Sequence, residues 1–271
     1  MSIAMELQES YSSDSLPAPQ QRRTTMRIEL AQHVVSSDGS GTTLELTFDR
    51  IAASLPVSGN TLSFNSATEK QDDDNALSEL AAVVGTKIEV HLGPDRKMDK
   101  VQGINEIVKK LSIRPRGELA AGFVQQFLGD EPIKYTFNHA LAGALPSMPV
   151  QVGDRWESSA TETVGAAVAK ITGRYKLASI DQVEGHEIAN IEFTTSANLD
   201  GNAPRSGKIK TGRLDEKGTK QFDVTRGYFR QTDKEQVISA EIAIPGPKGE
   251  IVLTLENVKK SKITISPANE K

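Results

Sequence analysis

A chain of 271 residues with 32 basic and 36 acidic side chains, net charge −4, is long enough for one large β domain or two smaller ones. Its charges are interspersed without a basic stripe, which argues against a nucleic-acid partner. The lack of cysteine removes disulfides, thiolate catalysis and cysteine-bound metal together. Hydrophobic content of 37% and aromatic content of 5% suit a sheet with one solvated face better than a thick core.

Met1–Gln21 has no continuous apolar stretch of the kind a secretory signal carries. Its Ser, Pro and Gln content predicts a disordered N-terminal lead over 1–23, followed by a single sheet-plus-helices domain over 24–271. Ile28 and Leu30 alternate with polar residues, and Leu44, Leu46 and Phe48 alternate with Glu45, Thr47 and Asp49. Between them Ser36–Gly41 is a turn, so the two segments read as a hairpin. Asp72-Asp73-Asp74-Asn75 precedes an expected helix over Ala76–Val84. Acids at a helix N-terminus complement its dipole, and the spacing lacks the glycine and distal glutamate of a calcium loop. Lys87–Leu92 and Lys97–Val101 read as a second hairpin around Gly93-Pro94-Asp95-Arg96.

Two amphipathic helices are expected next, over Gly103–Leu111 and Glu118–Leu128. Ile104, Ile107, Val108 and Leu111 lie at helical spacing, as do Leu119, Phe123, Val124, Phe127 and Leu128. Ile133–Val152, with two prolines, reads as mostly loop, and Trp156 opens a strand after a Gly-Asp turn.

From Ala167 to Ile265 the chain reads as long antiparallel strands. In Ala189–Leu199 the odd positions are Ala189, Ile191, Phe193, Thr195, Ala197 and Leu199, and the even ones are polar. Alternation of this kind puts one dry and one wet face on a strand. It returns at Ile238, Ala240, Ile242 and Ile244, and at Ile251, Leu253 and Leu255, with the Pro-Gly-rich Pro245–Gly249 reversing the chain between. Glu184-Gly185-His186 has the length of a hairpin turn, and Asp215-Glu216-Lys217-Gly218 reads as another reversal.

No chemistry-bearing motif emerges. His33, His91, His139 and His186 lack zinc-ligand spacing, no Ser sits in a nucleophile elbow, and no phosphate loop is present. Catalytic residues, metal ligands and a cofactor are therefore not expected, and the reading is a non-enzyme.

Leu44–Ile51, Gly85–Leu92 with its Gly-Pro-Asp turn, Val101-Gln102-Gly103, Pro149–Trp156 with Val-Gly-Asp-Arg-Trp, and the long terminal strands stand in a characteristic order and spacing. Together they resemble a bacterial domain family of unknown function, number 6263. The resemblance spans Thr24 to Ile265. It implies an exported or lipid-anchored protein, hence an extracytoplasmic location in the periplasm or envelope. The sequence itself carries no signal that separates this from the cytoplasm, and the family brings no activity to carry over. The inferred architecture also looks like that of the lipoprotein carriers.

The expected fold is α+β: a large, curved, mainly antiparallel open sheet of about ten strands, a half-barrel, with about three helices on its concave face. The expected function is a cell-envelope protein binding an apolar ligand such as lipid between sheet and helices. Leu111, Phe123, Phe127 and Trp156 are the candidate ligand-binding residues. The alternative is a structural or protein-interaction module with an envelope protein partner.

Overall fold

The computed structural model describes residues 2–12, 22–57, 59–72, 74–94, 97–141, 145–164, 167–203, 207–246 and 249–267. Its packing gives two compact units. The first holds residues 1–7, 24–143 and 263–271, and the second 8–23 and 144–262.

The first unit holds the first part of β1 (Ser2–Ser12), nearly all of β2 (Arg22–Asp38), and β3 (Gly41–Val57), β4 (Asn60–Asn65), β5 (Lys87–Leu92) and β6 (Met98–Gln102). Their order is β6-β5-β3-β2-β1, with β4 on the remaining length of β3. The β2–β3, β3–β4, β3–β5 and β5–β6 pairs are antiparallel. In the β2–β3 turn the Ser40 N–H donates to Asp38 Oδ1 at 2.8 Å. A register shift opposite Glu29–Leu30 adds one residue to β3. Its buried positions therefore change from the even Leu44, Leu46 and Phe48 to the odd Ile51 and Ala53.

Helices cover this sheet. A 3-10 helix (Ala76–Val83) is capped by Asn75, whose Oδ1 accepts from the Leu77 N–H at 3.0 Å. Three α-helices follow: α1 (Ile104–Ser112), α2 (Gly117–Leu128) and α3 (Asp130–Leu141). Ile104, Ile107 and Leu111 of α1, most of the apolar face of α2, and Ile133 and Phe137 of α3 are buried. Two side-chain devices fix the layer. Buried Glu79 on the 3-10 helix accepts from Arg114 Nε in the α1–α2 turn, and Gln71 bonds both side chains, at 3.1 Å and 2.9 Å. Asn138 of α3 bonds the main chain of Met98 twice, at 2.6 Å and 3.0 Å. That clamp covers the edge strand β6, a common protection for unpaired sheet edges.

The second unit contains β7 (Arg155–Val164), β8 (Ala167–Val183), β9 (His186–Ala203), β10 (Gly207–Asp223), β11 (Tyr228–Gly246) and, up to residue 262, β12 (Gly249–Ser266), in sequential order. The β7–β8, β8–β9, β9–β10 and β10–β11 pairs are antiparallel. The turn at Glu184-Gly185, with φ of 53° and 81°, is the left-handed two-residue reversal that suits a hairpin.

The fold is thus α+β, mainly antiparallel and open, as expected. Three sequence readings are corrected. Ser2–Ser12 is a strand within the predicted disordered lead, whereas residues 13–21 lie outside those described. The predicted loop after Ile133 begins as helix, because Pro132 occupies the first turn of α3, where proline lacks no needed donor. Asp215–Gly218 is the middle of β10 and not a reversal.

Phe48 is fully buried, whereas Ile113 in the α1–α2 turn is 79% exposed. Phe48→Ala should cost about 3–5 kcal/mol, and Ile113→Ala should stay within about 0.5 kcal/mol. Urea unfolding followed by circular dichroism measures both, and equal losses would contradict this placement of the core.

Candidate functional site

In an antiparallel pair, residues directly opposite one another share a face. Applied to β7–β11, this rule sorts the second unit into two unlike surfaces.

One surface is polar. Glu157 pairs with Arg174 at 2.9 Å and Lys176 with Glu192 at 3.8 Å. Glu235 is met by Lys217 at 3.1 Å and Lys260 at 3.3 Å, and hydrogen bonds from these two lysines hold its carboxyl below the usual range. Arg213 does the same for Asp215, first through a hydrogen bond. These side chains are largely solvated, so screening keeps each pair weak. Two hollows adjoin these strands, of about 530 Å³ and 370 Å³, and both include Arg174 and Thr194. The larger is lined by three consecutive residues on each of β7, β8 and β9. Of these, Arg155, Glu157, Arg174, Lys176, Glu192 and Thr194 lie on the polar face by register, and the intervening Trp156, Tyr175 and Phe193 lie on the other.

The opposite surface is buried and carries an aromatic track. Trp156 lies opposite Tyr175, and Tyr175 opposite Phe193. Their rings stack at 5.7 Å and 6.1 Å between centroids. Phe193 is buried, whereas Tyr175 and Trp156 are half-buried, so the track emerges toward the edge strand β7. Two glycines make room for it. A Cβ on Gly173 would lie 2.7 Å from the Tyr175 hydroxyl, and one on Gly218, opposite Phe193, would lie 2.9 Å from the Phe193 ring and 2.1 Å from the Asp233 carbonyl.

The track ends at a set of buried charges. Glu216 Oε1 accepts from Lys234 Nζ at 3.1 Å and Gln236 Nε2 at 2.6 Å. Lys220 is 2% exposed, and its ammonium lies 5.3 Å from the Phe193 centroid and 5.4 Å from that of Phe229. Ring faces attract cations, but burial pushes the Lys220 ammonium down to about 7, with repulsion from Lys234 adding to it and Glu216 opposing it.

Of the residues proposed from sequence, Leu111, Phe123 and Phe127 are buried in the helical layer of the first unit, where the Phe123 and Phe127 rings meet at 4.8 Å. None of them lines either hollow described. Trp156 belongs to the second unit, with Tyr175 and Phe193 as its aromatic neighbours. Tyr175, Glu216, Lys220 and Lys234 were not singled out. Glycines spaced to receive rings are a signal that only the strand register makes readable. Among the described residues, no cluster of three His, Asp or Glu side chains could hold a metal, and no helix is long and apolar enough to cross a membrane.

Lys220 binds fewer protons folded than unfolded between about pH 7 and 10.5, so its cost to stability is full below pH 7 and fades as pH rises. Lys220→Met should therefore be more stable than the native chain at pH 7, by on the order of 1–4 kcal/mol, and the gap should close toward pH 10. Urea unfolding at several pH values tests this, and a gap independent of pH would contradict the burial of a titrating amine.

Comparison with solved structures finds distant likenesses. A structure of lipid–protein interactions in lipovitellin aligns with a TM-score of 0.45 and 11% identity over 100% of this chain, which spans only 26% of that one. A DUF1329 family protein from Desulfovibrio piger aligns with a TM-score of 0.18 and 8% identity, covering 98% of this chain and 86% of its own. A domain described as an outer membrane lipoprotein-sorting protein, from Vibrio parahaemolyticus, gives a TM-score of 0.13 and 9% identity over 97% and 83%. No curated protein matches the sequence. The model described as Family of unknown function (DUF6263) matches residues 39–226, and the chain belongs to that family.

Proposed function

We propose that this is a non-enzymatic protein of the cell envelope that binds an apolar ligand such as lipid, and that the ligand lies on the aromatic track of the second unit. The observation that carries the reading is the run of Trp156, Tyr175 and Phe193 from a half-buried edge strand onto a buried face. Aromatic rings offer a large apolar surface at small entropic cost, and a track that is wet at one end gives an apolar ligand a way in. The envelope location is the one implied by the family resemblance. Phe123, Phe127 and Leu111 act in this reading as the packed core of the helical layer.

A second reading, a protein-interaction module, draws on β7. It stands at the edge of the strand order and pairs with β8 along its whole length, Arg155 to Val164. An edge of this kind can accept an added strand from an envelope protein.

Trp156 is the single tryptophan, so its emission reports on the track directly. Titrating detergent-free protein with a long-chain alcohol below its micelle concentration should give a saturable blue shift. Tyr175→Ala should weaken the apparent affinity by roughly fivefold to tenfold while leaving the circular dichroism unchanged. Emission that does not respond, together with native mass spectra free of apolar adducts, would overturn the apolar-ligand reading.

A further inference from the structure

We propose that His186, Asp223 and Tyr228 form a binding site for a divalent transition-metal ion of the zinc type. The site lies in the second unit, away from the aromatic track, and is independent of the apolar-ligand reading.

The first observation is where the register puts three polar side chains. Asp223 closes β10 directly opposite Ile188 of β9 and Tyr228 of β11, so these three share a face. His186 opens β9 two residues before Ile188 and takes the same face. Phe193 stands an odd number of residues from Ile188, which puts the aromatic track on the other face. The corner is braced. The Val224 N–H donates to the Glu187 carbonyl at 2.9 Å, and the Glu187 N–H to Thr225 Oγ1 at 3.2 Å, which ties the β10–β11 turn to the start of β9. Within the turn the Arg226 N–H donates to Asp223 Oδ1 at 2.8 Å, and the Gly227 N–H to the Asp223 carbonyl at 2.8 Å. The chain itself thus holds one carboxyl oxygen and orients the other, Oδ2. Metal ligands need supporting bonds of this kind.

The second observation is what these side chains lack. His186 Nδ1, Asp223 Oδ2 and Tyr228 Oη are buried, and none has a hydrogen-bond partner among the described residues. Asp223 is only 1% exposed, so bulk water does not satisfy its open oxygen. His186 Nδ1 lies 4.0 Å from Asp223 Oδ2, too far for a direct hydrogen bond and close enough for both to hold one ion. Zinc bonds of about 2.1 Å at a tetrahedral angle set two donors about 3.4 Å apart, so a small turn of the His186 ring closes the gap. The His186 side chain is 23% exposed, which gives the ring room to turn and an ion a way in. The donor types select the ion. Imidazole nitrogen suits zinc, copper and nickel, whereas calcium and magnesium take oxygen donors. Tyrosine is the third donor, so the set is not a cluster of three His, Asp or Glu side chains, and water can complete four-coordination. Asp181, which also stands opposite Ile188, is already held by Asn190 at 2.6 Å.

The test titrates the full chain with zinc, read by native mass spectrometry and calorimetry, with magnesium and calcium for comparison. The native protein should take up a single zinc ion at this corner, and its thermal midpoint should rise with zinc but not with magnesium. His186→Ala and Asp223→Asn should each weaken zinc binding by at least roughly tenfold, the lower end of what even supporting residues cost a metal site. Tyr228→Phe should weaken it as well. His91→Ala is the control: His91 and Asp99 make another imidazole–carboxylate contact, at 2.8 Å, and its loss should leave the affinity unchanged. Circular dichroism checks that each variant folds, and if Asp223→Asn does not, the partly exposed His186 decides the matter alone. Zinc binding that survives in His186→Ala, or that is lost in His91→Ala instead, overturns the site. An affinity unchanged in Tyr228→Phe overturns the three-donor set. A native chain that takes up no zinc also overturns the proposal and leaves His186 and Asp223 as a plain ion pair.

Discussion

The register of β8 to β11 is the constraint on which the second unit depends. Side chains alternate between faces, so a slip of one residue exchanges every buried position for an exposed one. Here a slip would put Arg174, Lys217 and Glu235 on the dry side and expose Phe193. The ion pairs of the wet face add little energy each, but they are incompatible with the wrong face. The buried pair of Glu216 and Lys234 works the same way from within. These two residues are diagonal neighbours across β10 and β11, offset by two residues, with Glu216 opposite Gln236 and Lys234 opposite Gly218. Breaking that alignment would leave an uncompensated charge in a dry setting, which costs far more than the pair returns. We read the buried charges as register markers as well as chemistry.

Room for the aromatic track comes from what is missing. Gly218 stands between Phe193 and Lys234 in one cross-strand row, and Gly173 lies two residues before Tyr175 on β8. Any side chain at Gly218 would meet the Asp233 carbonyl as well as the Phe193 ring. Glycine weakens a strand interior, and rings laid over it restore the lost contact. The first unit solves its burial differently, with a helical layer capped by Asn75 and clamped by Arg114 and Asn138.

Much of this was legible in the residues. β9 announced itself, because Ile191, Phe193, Ala197 and Leu199 alternate with polar residues, and all four are buried. The stripes of α1 and α2 were equally plain. β10 was not, because its inward positions read Leu214, Glu216, Gly218 and Lys220. Two charges and a glycine erase the apolar alternation, and the segment looked like a reversal. Only its pairing with strands on both sides shows that these charges face inward. For the same reason the sequence pointed to Trp156 but not to Lys220. A buried lysine resembles any surface lysine until its neighbours across the sheet are known. The part of α3 after Pro132 was hidden by the weak apolar signal of that segment.

The central claim is that an apolar chain lies along Trp156, Tyr175 and Phe193. Photolabelling tests it most directly: a fatty acid with a diazirine near mid-chain is irradiated with the protein, and the modified peptides are sequenced by mass spectrometry. The account predicts adducts concentrated in β8 and β9, at Tyr175 and Phe193 and the residues beside them. Labelling that instead follows exposure, with Ile113 and Met148 most heavily modified, would contradict it.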